Sequence, residues 1–243
     1  MERDFGQRRL DEHCLGILGG MGPQATQVFY QRILDRTDAN RDQEHIRALI
    51  LSDTAIPDRT AAILSGRTAT VRDRLVTDAK LLENAGCTLL AVPCNTSHYF
   101  AEDIQGAVHI PLLHMPRLAV ARARELGHKK LAVLATRGTV KTGIYQRELD
   151  GVDLACWAPD EGIQSLVDAI IYDQIKAGEQ GSRTDFAAID KAIRKAGCDG
   201  AILGCTELSV YRAYHGLPEF YIDAMEVLAE GAITACGKRL REV

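Results

Sequence analysis

Two cysteines occupy matching places in a repeated stretch of the chain, and what their thiols could do sets the first question. Aligning residues 80–100 (KLLENAGCTLLAVPCNTSHYF) with residues 191–211 (KAIRKAGCDGAILGCTELSVY) pairs Ala85-Gly86-Cys87 with Ala196-Gly197-Cys198 and Cys94 with Cys205, at a constant offset of 111 residues. A thiol can carry a proton to or from carbon, but with an unperturbed pKa of about 8.5 it is a poor base without help. The doubled C-x6-C spacing raises a four-thiolate zinc site as an alternative, and geometry argues against it. Six strand residues at roughly 3.3 Å each hold the two cysteines of a pair about 20 Å apart, beyond a disulfide or a shared metal. Cys87 and Cys198 enter their strands at the far end and are read as structural. Cys94 and Cys205 leave theirs at the carboxyl end, where open α/β sheets place ligands.

The residues after each candidate thiol are small and polar: Asn95, Thr96 and Ser97 after Cys94, Thr206 and Glu207 after Cys205. At a strand-to-helix turn they supply hydroxyls and free backbone N–H groups beside the positive end of a helix dipole. Such a turn should stabilise a thiolate and bind a carboxylate. Free cysteine is often just a small buried hydrophobe, but two polar turns related by a repeat speak against that role. His98 invites a Cys–His or zinc pairing with Cys94. The repeat puts Ser209 in its place, so a cap or half-buried packing role is expected.

The first turn, Gly19-Gly20-Met21-Gly22-Pro23-Gln24-Ala25-Thr26, contains the dinucleotide-like pattern Gly20-x-Gly22-x-x-Ala25. That fingerprint wants an acidic residue about 20 residues on, whereas the next predicted strand ends over 30 residues later, at Asp53. A backbone-lined cleft floor that includes Met21 is the better reading, with glycines letting a small ligand approach. Two cations suit anion recognition. Arg59, in the loop Asp53–Thr60 beyond a strand's carboxyl end, could clamp a carboxylate through two parallel hydrogen bonds. Lys176 ends a predicted helix, where it either serves the site or is solvated.

These residues need a scaffold. Short apolar runs predict strands at Cys14–Leu18, Arg47–Ser52, Thr88–Val92, Ile110–Leu112, Lys130–Ala135, Asp153–Trp157, Gly200–Leu203 and Glu219–Ile222. Amphipathic stretches between them predict helices such as Pro23–Thr37, Val71–Ala85, Glu161–Ala177, Asp185–Lys195 and Ala224–Ala235. The alternation implies an α/β fold with parallel sheets. With the repeat it implies two similar, pseudo-symmetric lobes and a cleft between them. The lobes divide as residues 1–114 with 224–243, the C-terminal helix completing the first lobe, and 115–223. The 243 residues suffice for two lobes of about 120 each. With 29 Lys and Arg against 33 Asp and Glu, the chain is too acidic for a general nucleic-acid binder. An odd, scattered set of seven cysteines reads as reduced. The charged opening, Met1 to His13, resembles neither a signal peptide nor a membrane anchor, and no apolar run approaches the roughly 20 residues that span a bilayer. The expected compartment is the cytoplasm.

Taken together, Gly19-Gly20-Met21-Gly22-Pro23-x-Ala25-Thr26, Ile56-Pro57-Asp58-Arg59-Thr60, Pro93-Cys94-Asn95-Thr96-x-His98, Ala135-Thr136-x-Gly138-Thr139 and Leu203-Gly204-Cys205-Thr206-Glu207-Leu208 resemble the aspartate/glutamate racemase family, from about Leu15 to Ile233. The resemblance implies two Rossmann-like lobes, a cleft active site and racemisation of an acidic amino acid without pyridoxal phosphate or metal. It makes Cys94 and Cys205 the acid/base pair and assigns Asn95, Thr96 and Thr206 to the substrate's α-carboxylate and amino group. Arg59 and Lys176 fall to the distal carboxylate, while Thr136, Met21 and Glu207 join the substrate-lining set. It also suggests a homodimer. Glutamate racemases usually carry Asp-Ser-Gly in the first turn and a histidine after the second Cys-Thr. Here Gly19-Gly20-Met21 and Glu207 stand there, which favours aspartate over glutamate. Rival readings are a glutamate or broad-specificity racemase, a maleate isomerase, hydantoin racemase or arylmalonate decarboxylase on the same scaffold, and a non-catalytic amino-acid binder.

Overall fold

A computed structural model describes residues 13–242. The charged opening stretch therefore lies outside the described residues, His13 apart. Strands β1 (Cys14–Gly19), β2 (Arg47–Ser52), β3 (Leu89–Ala91) and β4 (Leu112–Leu113) form one sheet in the order β2-β1-β3-β4. β5 (Lys130–Leu134), β6 (Ala155–Trp157), β7 (Gly200–Leu203) and β8 (Tyr221–Asp223) form a second in the order β6-β5-β7-β8. Every pairing is parallel. The two sheets have the same topology, with the first strand of each central and the third beside it. That arrangement makes the carboxyl ends of β1 and β3, and of β5 and β7, the places where successive connections diverge and a ligand crevice opens. β1, β3 and β7 are buried along their whole length, as apolar runs in parallel sheets covered on both faces must be.

The helices are α1 (Pro23–Arg36), α2 (Arg59–Ser65), α3 (Ala69–Asn84), α4 (Ala101–Ala107), α5 (Met115–Glu125), α6 (Arg137–Thr142) and α7 (Ile144–Asp150). They continue with α8 (Glu161–Asp168), α9 (Arg183–Lys195), α10 (Thr206–His215) and α11 (Ala224–Ala235). α11 packs against both α1 and α5. The buried cluster around Phe29, Met115, Leu228 and Ile233 also takes in Leu15 of β1 and Val133 of β5, so the sheets share one apolar layer. Each sheet has a second cluster on its other face, around Leu75 and Leu90 in one and Phe186 and Leu203 in the other. No helix among the described residues is long and apolar enough to cross a membrane.

Several expectations shift. The predicted helix Glu161–Ala177 is α8 followed by a π-helical stretch, Ala169–Ile175, in which Lys176 N–H bonds to Ile171 O five residues back. Such widened turns cluster at functional sites. The strand expected from Asp153 begins at Ala155, because Asp153 has a left-handed φ of 56° that belongs to a turn. Arg59 is not in a loop but is the first residue of α2, capped by Asp58, whose carboxylate accepts from Ala61 N at 2.7 Å. Helices α2, α4, α5, α6, α7 and α10 fill stretches for which no element was predicted, and four of these are only six or seven residues long.

Candidate active site

The chain ends of β1, β3, β5 and β7 converge on one cleft. Met21 follows β1, Cys94, Asn95 and Thr96 follow β3, and Thr136 follows β5. Cys205, Thr206 and Glu207 follow β7, with Arg59 at the start of α2 and Lys176 past the π-helical stretch. All ten residues singled out by the sequence line this cleft. Asp58, Thr60 and Tyr172 line it as well. The space enclosed is about 20 Å³, room for one water. An adjoining cavity of about 380 Å³ shares Met21, Asp58, Arg59, Lys176 and Glu207. A larger cavity, about 690 Å³ around Arg72, His114 and Arg117, contains neither Cys94 nor Cys205. Chemistry rather than size therefore picks out the candidate site.

The glycine turn sits as a tight floor. Gly20 has φ +90°, and a Cβ there would lie 2.4 Å from the Asp53 backbone. Its N–H donates to Thr26 Oγ1 at 2.9 Å. Asp53, the only acidic residue that could complete a nucleotide fingerprint, instead accepts from Arg74 and from Ala55 N. Met21 is buried, and its sulfur accepts from Ser97 Oγ at 3.2 Å.

Cys94 is 6% exposed. Beyond it the chain makes a 3-10 turn, Thr96–Phe100, rather than an α-helix, and Asn95 makes no side-chain cap bond. Asn95 Oδ1 accepts from Tyr145 Oη, while its Nδ2 is a buried donor without a partner among the described residues. Arg59 donates to the carbonyls of Pro57 and Met21, both at 3.2 Å, and its Nε is likewise buried and unpartnered. Burial works against the Arg59 charge, but Cys94, Asp58 and Glu207 around it outweigh that and raise the guanidinium. Thr96 joins Thr136 at 3.1 Å and Thr139 at 2.9 Å, and Thr60 donates to Thr136 at 3.1 Å. This hydroxyl cluster stitches the lobes together where Gly138 lets Thr60 approach, a Cβ there lying 2.8 Å from its Oγ1.

His98 is almost fully buried rather than half-buried. Nδ1–H donates to Cys94 O at 2.9 Å and Nε2 accepts from Met115 N at 3.0 Å, which defines a neutral tautomer. Burial, and after it His114, push its pKa down to about 4. These two bonds make it a brace for the Cys94 turn. Among the described residues no group of three or more His, Cys, Asp or Glu is placed to hold a metal ion.

On the other side, Cys205 is the N-cap of α10 and Thr206 and Glu207 form that helix's first turn. The expectation that this turn favours a thiolate needs correction. Burial first, and the Glu207 carboxylate second, push the Cys205 thiol well above its usual range. The helix end is there, but so is an anion two residues on, and the anion dominates. Lys176 is not simply solvated, for its Nζ lies 3.9 Å from Glu207 Oε1 and 4.4 Å from the centre of the Tyr172 ring. Cys87 and Cys198 lie outside the cleft. Burial and neighbouring Cys14 push Cys87 up to about 12, and burial raises Cys198 too.

The fold and site define a class: a two-lobed α/β protein whose repeated third strands each deliver a cysteine to the cleft between the lobes. The chain belongs to the Asp/Glu/hydantoin racemase family, whose model matches residues 18–232. It is similar over nearly its whole length to the Picrophilus torridus aspartate racemase, with 30% identity and a TM-score of 0.80 over 94% of this chain and 96% of that one. The glutamate racemase of Francisella tularensis, solved in complex with D-glutamate, shares the fold, with a TM-score of 0.65, 16% identity, and coverage of 93% and 81%. The broad specificity amino-acid racemase RacX of Bacillus subtilis is 32% identical over 143 residues, 56% of this chain and 60% of that protein. The glutamate racemase of Corynebacterium glutamicum is 27% identical over 57% of this chain and 50% of its own length. The chain thus matches half to three-fifths of these two curated relatives.

Thr139, Tyr145 and Tyr172 were missed by sequence reasoning as site or supporting residues, as were Asp58 and Thr60. Asp58, Thr60 and Thr139 stood inside runs already singled out, so proximity was a usable signal. Tyr145 and Tyr172 left none.

Proposed function

We propose that this protein is a cofactor-independent isomerase that interconverts L- and D-aspartate by proton transfer at Cα. Cys94 and Cys205 act from opposite faces, one removing the α-proton while the other supplies one, and exchange roles for the other enantiomer. The observation that carries this reading is that two cysteines from opposite lobes line one cleft together with Arg59 and Lys176. Those cations take the distal carboxylate. Asn95, Thr96 and Thr206 take the α-carboxylate and ammonium, and the unpartnered Asn95 Nδ2 is a donor ready for an acceptor. Hydrogen bonds to the α-carboxylate strengthen as the carbanion's charge spreads onto it, which lowers the barrier. The narrowness of the cleft between the thiols, about 20 Å³, supports a cycle in which the lobes part to admit substrate and close to exclude solvent. The expected compartment is the cytoplasm and the expected assembly a homodimer, for which Leu49 and Ile50, exposed on β2, supply apolar surface.

A second reading, racemisation of glutamate or of a broader set of amino acids, is supported by the similarity to the broad specificity racemase. Both are tested by incubating reduced protein, without added cofactor, with each amino acid in D2O. D-aspartate carrying deuterium at Cα is the expected product, and faster turnover of glutamate or of neutral amino acids would select the second reading. Binding with neither exchange nor inversion for any of them would overturn both.

A further inference from the structure

The side-chain amide of Asn95 is held from one end only. Its Oδ1 accepts from the Tyr145 hydroxyl, while Nδ2 is a buried donor with no partner among the described residues. An amide whose oxygen is engaged and whose nitrogen is free offers N–H to a ligand, whereas the same amide turned over would offer a lone pair. The hydroxyl therefore decides whether this side chain attracts or repels a carboxylate. It comes from the other lobe, since Tyr145 stands in α7, 50 residues further along the chain, and is 3% exposed. Tyr145 itself does not line the space between the thiols.

The ring is fixed as well as its tip. A Cβ built on Gly204, the residue before Cys205, would lie 3.0 Å from Tyr145 Cε2, so the ring packs on bare backbone of the turn that carries the second thiol. One side chain thus touches both cysteine-bearing turns. Burial first, then Asp223 and Cys205, raise the phenol well above its usual range, which keeps it a donor while the thiols exchange protons. The repeat points the same way. At the offset that carries Gly22 onto Gly138, Tyr145 falls on Phe29, a fully buried ring without a hydroxyl, and at the offset of the cysteines Asn95 falls on Thr206. Packing at this place is met by phenylalanine, and the hydroxyl accompanies the amide.

We propose that Tyr145 is a positioning residue, which holds Asn95 with its N–H toward the substrate's α-carboxylate from the turn that carries the opposite thiol. This rests on the racemase reading of the cleft. The carboxylate needs that donor most as the α-proton leaves, because charge then builds on its oxygens. Turning the amide over puts an acceptor in the donor's place, so the loss falls more on kcat than on KM.

Tyr145→Phe keeps the ring on Gly204 and removes only the hydroxyl. It should lower kcat for aspartate about tenfold, with KM changed by less than about threefold. That loss must pass through Asn95. Asn95→Ala should lower kcat about 100-fold, and adding Tyr145→Phe to it should lower kcat no further, since no amide is left to orient. Losses that multiply in the double variant would make Tyr145 a structural residue and overturn the proposal, as would a wild-type kcat in Tyr145→Phe. Tyr145→Met, which fills the ring's place without a donor, serves in the same cycle if the Phe variant does not fold. If the wild-type protein exchanges the α-proton of no amino acid, it is the racemase reading that fails, and NMR still tests the orientation of the amide. The Nδ2 proton pair, identified by its absence from Asn95→Ala, should shift or broaden in Tyr145→Phe. A pair that keeps its wild-type position and width would overturn the proposed positioning.

Discussion

The turns after β3 and β7 occupy equivalent places in their sheets, yet they hold their cysteines by different means. Cys94 precedes a 3-10 turn and faces a guanidinium, whereas Cys205 caps an α-helix and donates to a carboxylate. The supporting ties nevertheless correspond. His98 accepts from Met115 N at the start of α5, and Ser209, its counterpart in the repeat, donates to Asp223, which caps α11 through Met225 N. Each ties a thiol-bearing turn to the helix that follows its sheet's fourth strand. The repeat thus preserves how the turns are held and separates what surrounds the sulfur, so symmetry of fold does not make the two faces of the cleft chemically alike.

Six substitutions, in four sets, break or sharpen that comparison. Cys94→Ala and Cys205→Ala should each lower racemisation by about 10²–10⁴-fold, since each removes one face's proton carrier. Chiral chromatography and circular dichroism would check activity and folding, and near-normal turnover in either variant would remove that thiol from the mechanism. His98 and Ser209 should differ in their response to acid. With a folded-state pKa of about 4 against roughly 6.5 when unfolded, His98 binds fewer protons in the native state within that window. Stability is therefore fully present above the unfolded value and falls as pH drops toward the folded one, by about 3 kcal/mol. Urea unfolding between pH 7 and pH 4 should show a flatter pH dependence in His98→Gln than in wild type, while Ser209→Ala should keep the wild-type slope.

Arg59→Ala should weaken aspartate binding by about 2 kcal/mol, or roughly thirtyfold, the scale of a charged hydrogen bond. Alanine, which lacks the distal carboxylate, should lose far less in the same titration calorimetry; equal losses would remove Arg59 from distal recognition. The smallest effect belongs to the hydroxyl cluster. Thr136→Val should cost about 1 kcal/mol, seen as a modest drop in melting temperature, because Thr96 and Thr139 still pair while Thr60 loses its partner in the cluster.

Much of this organisation was legible along the chain. Apolar runs predicted each strand to within a few residues, and the 111-residue repeat carried Cys94 and Cys205 to equivalent strand ends. The short helices α2, α6 and α7 escaped notice because one or two turns give too little periodicity to read. The break in the helix before Lys176 was hidden for the opposite reason, since a π turn leaves the apolar pattern of its neighbours largely intact.

By itself the sequence determined the alternating β/α order, the doubled lobe and which two of seven cysteines stand at the carboxyl ends of their strands, at the cleft, because periodicity and spacing are properties of one chain read in order. Only the tertiary structure decided what each thiol meets. Tyr145 reaches Asn95 across 50 residues, Thr139 reaches Thr96 across 43, and Arg59 comes to Cys94 from another element of the same lobe. Even Glu207, two residues from Cys205, turns its carboxylate back onto the thiol only because α10 begins at Thr206 and the cleft buries both. Proximity in sequence sets which groups can meet, and burial decides whether their charges raise or lower one another.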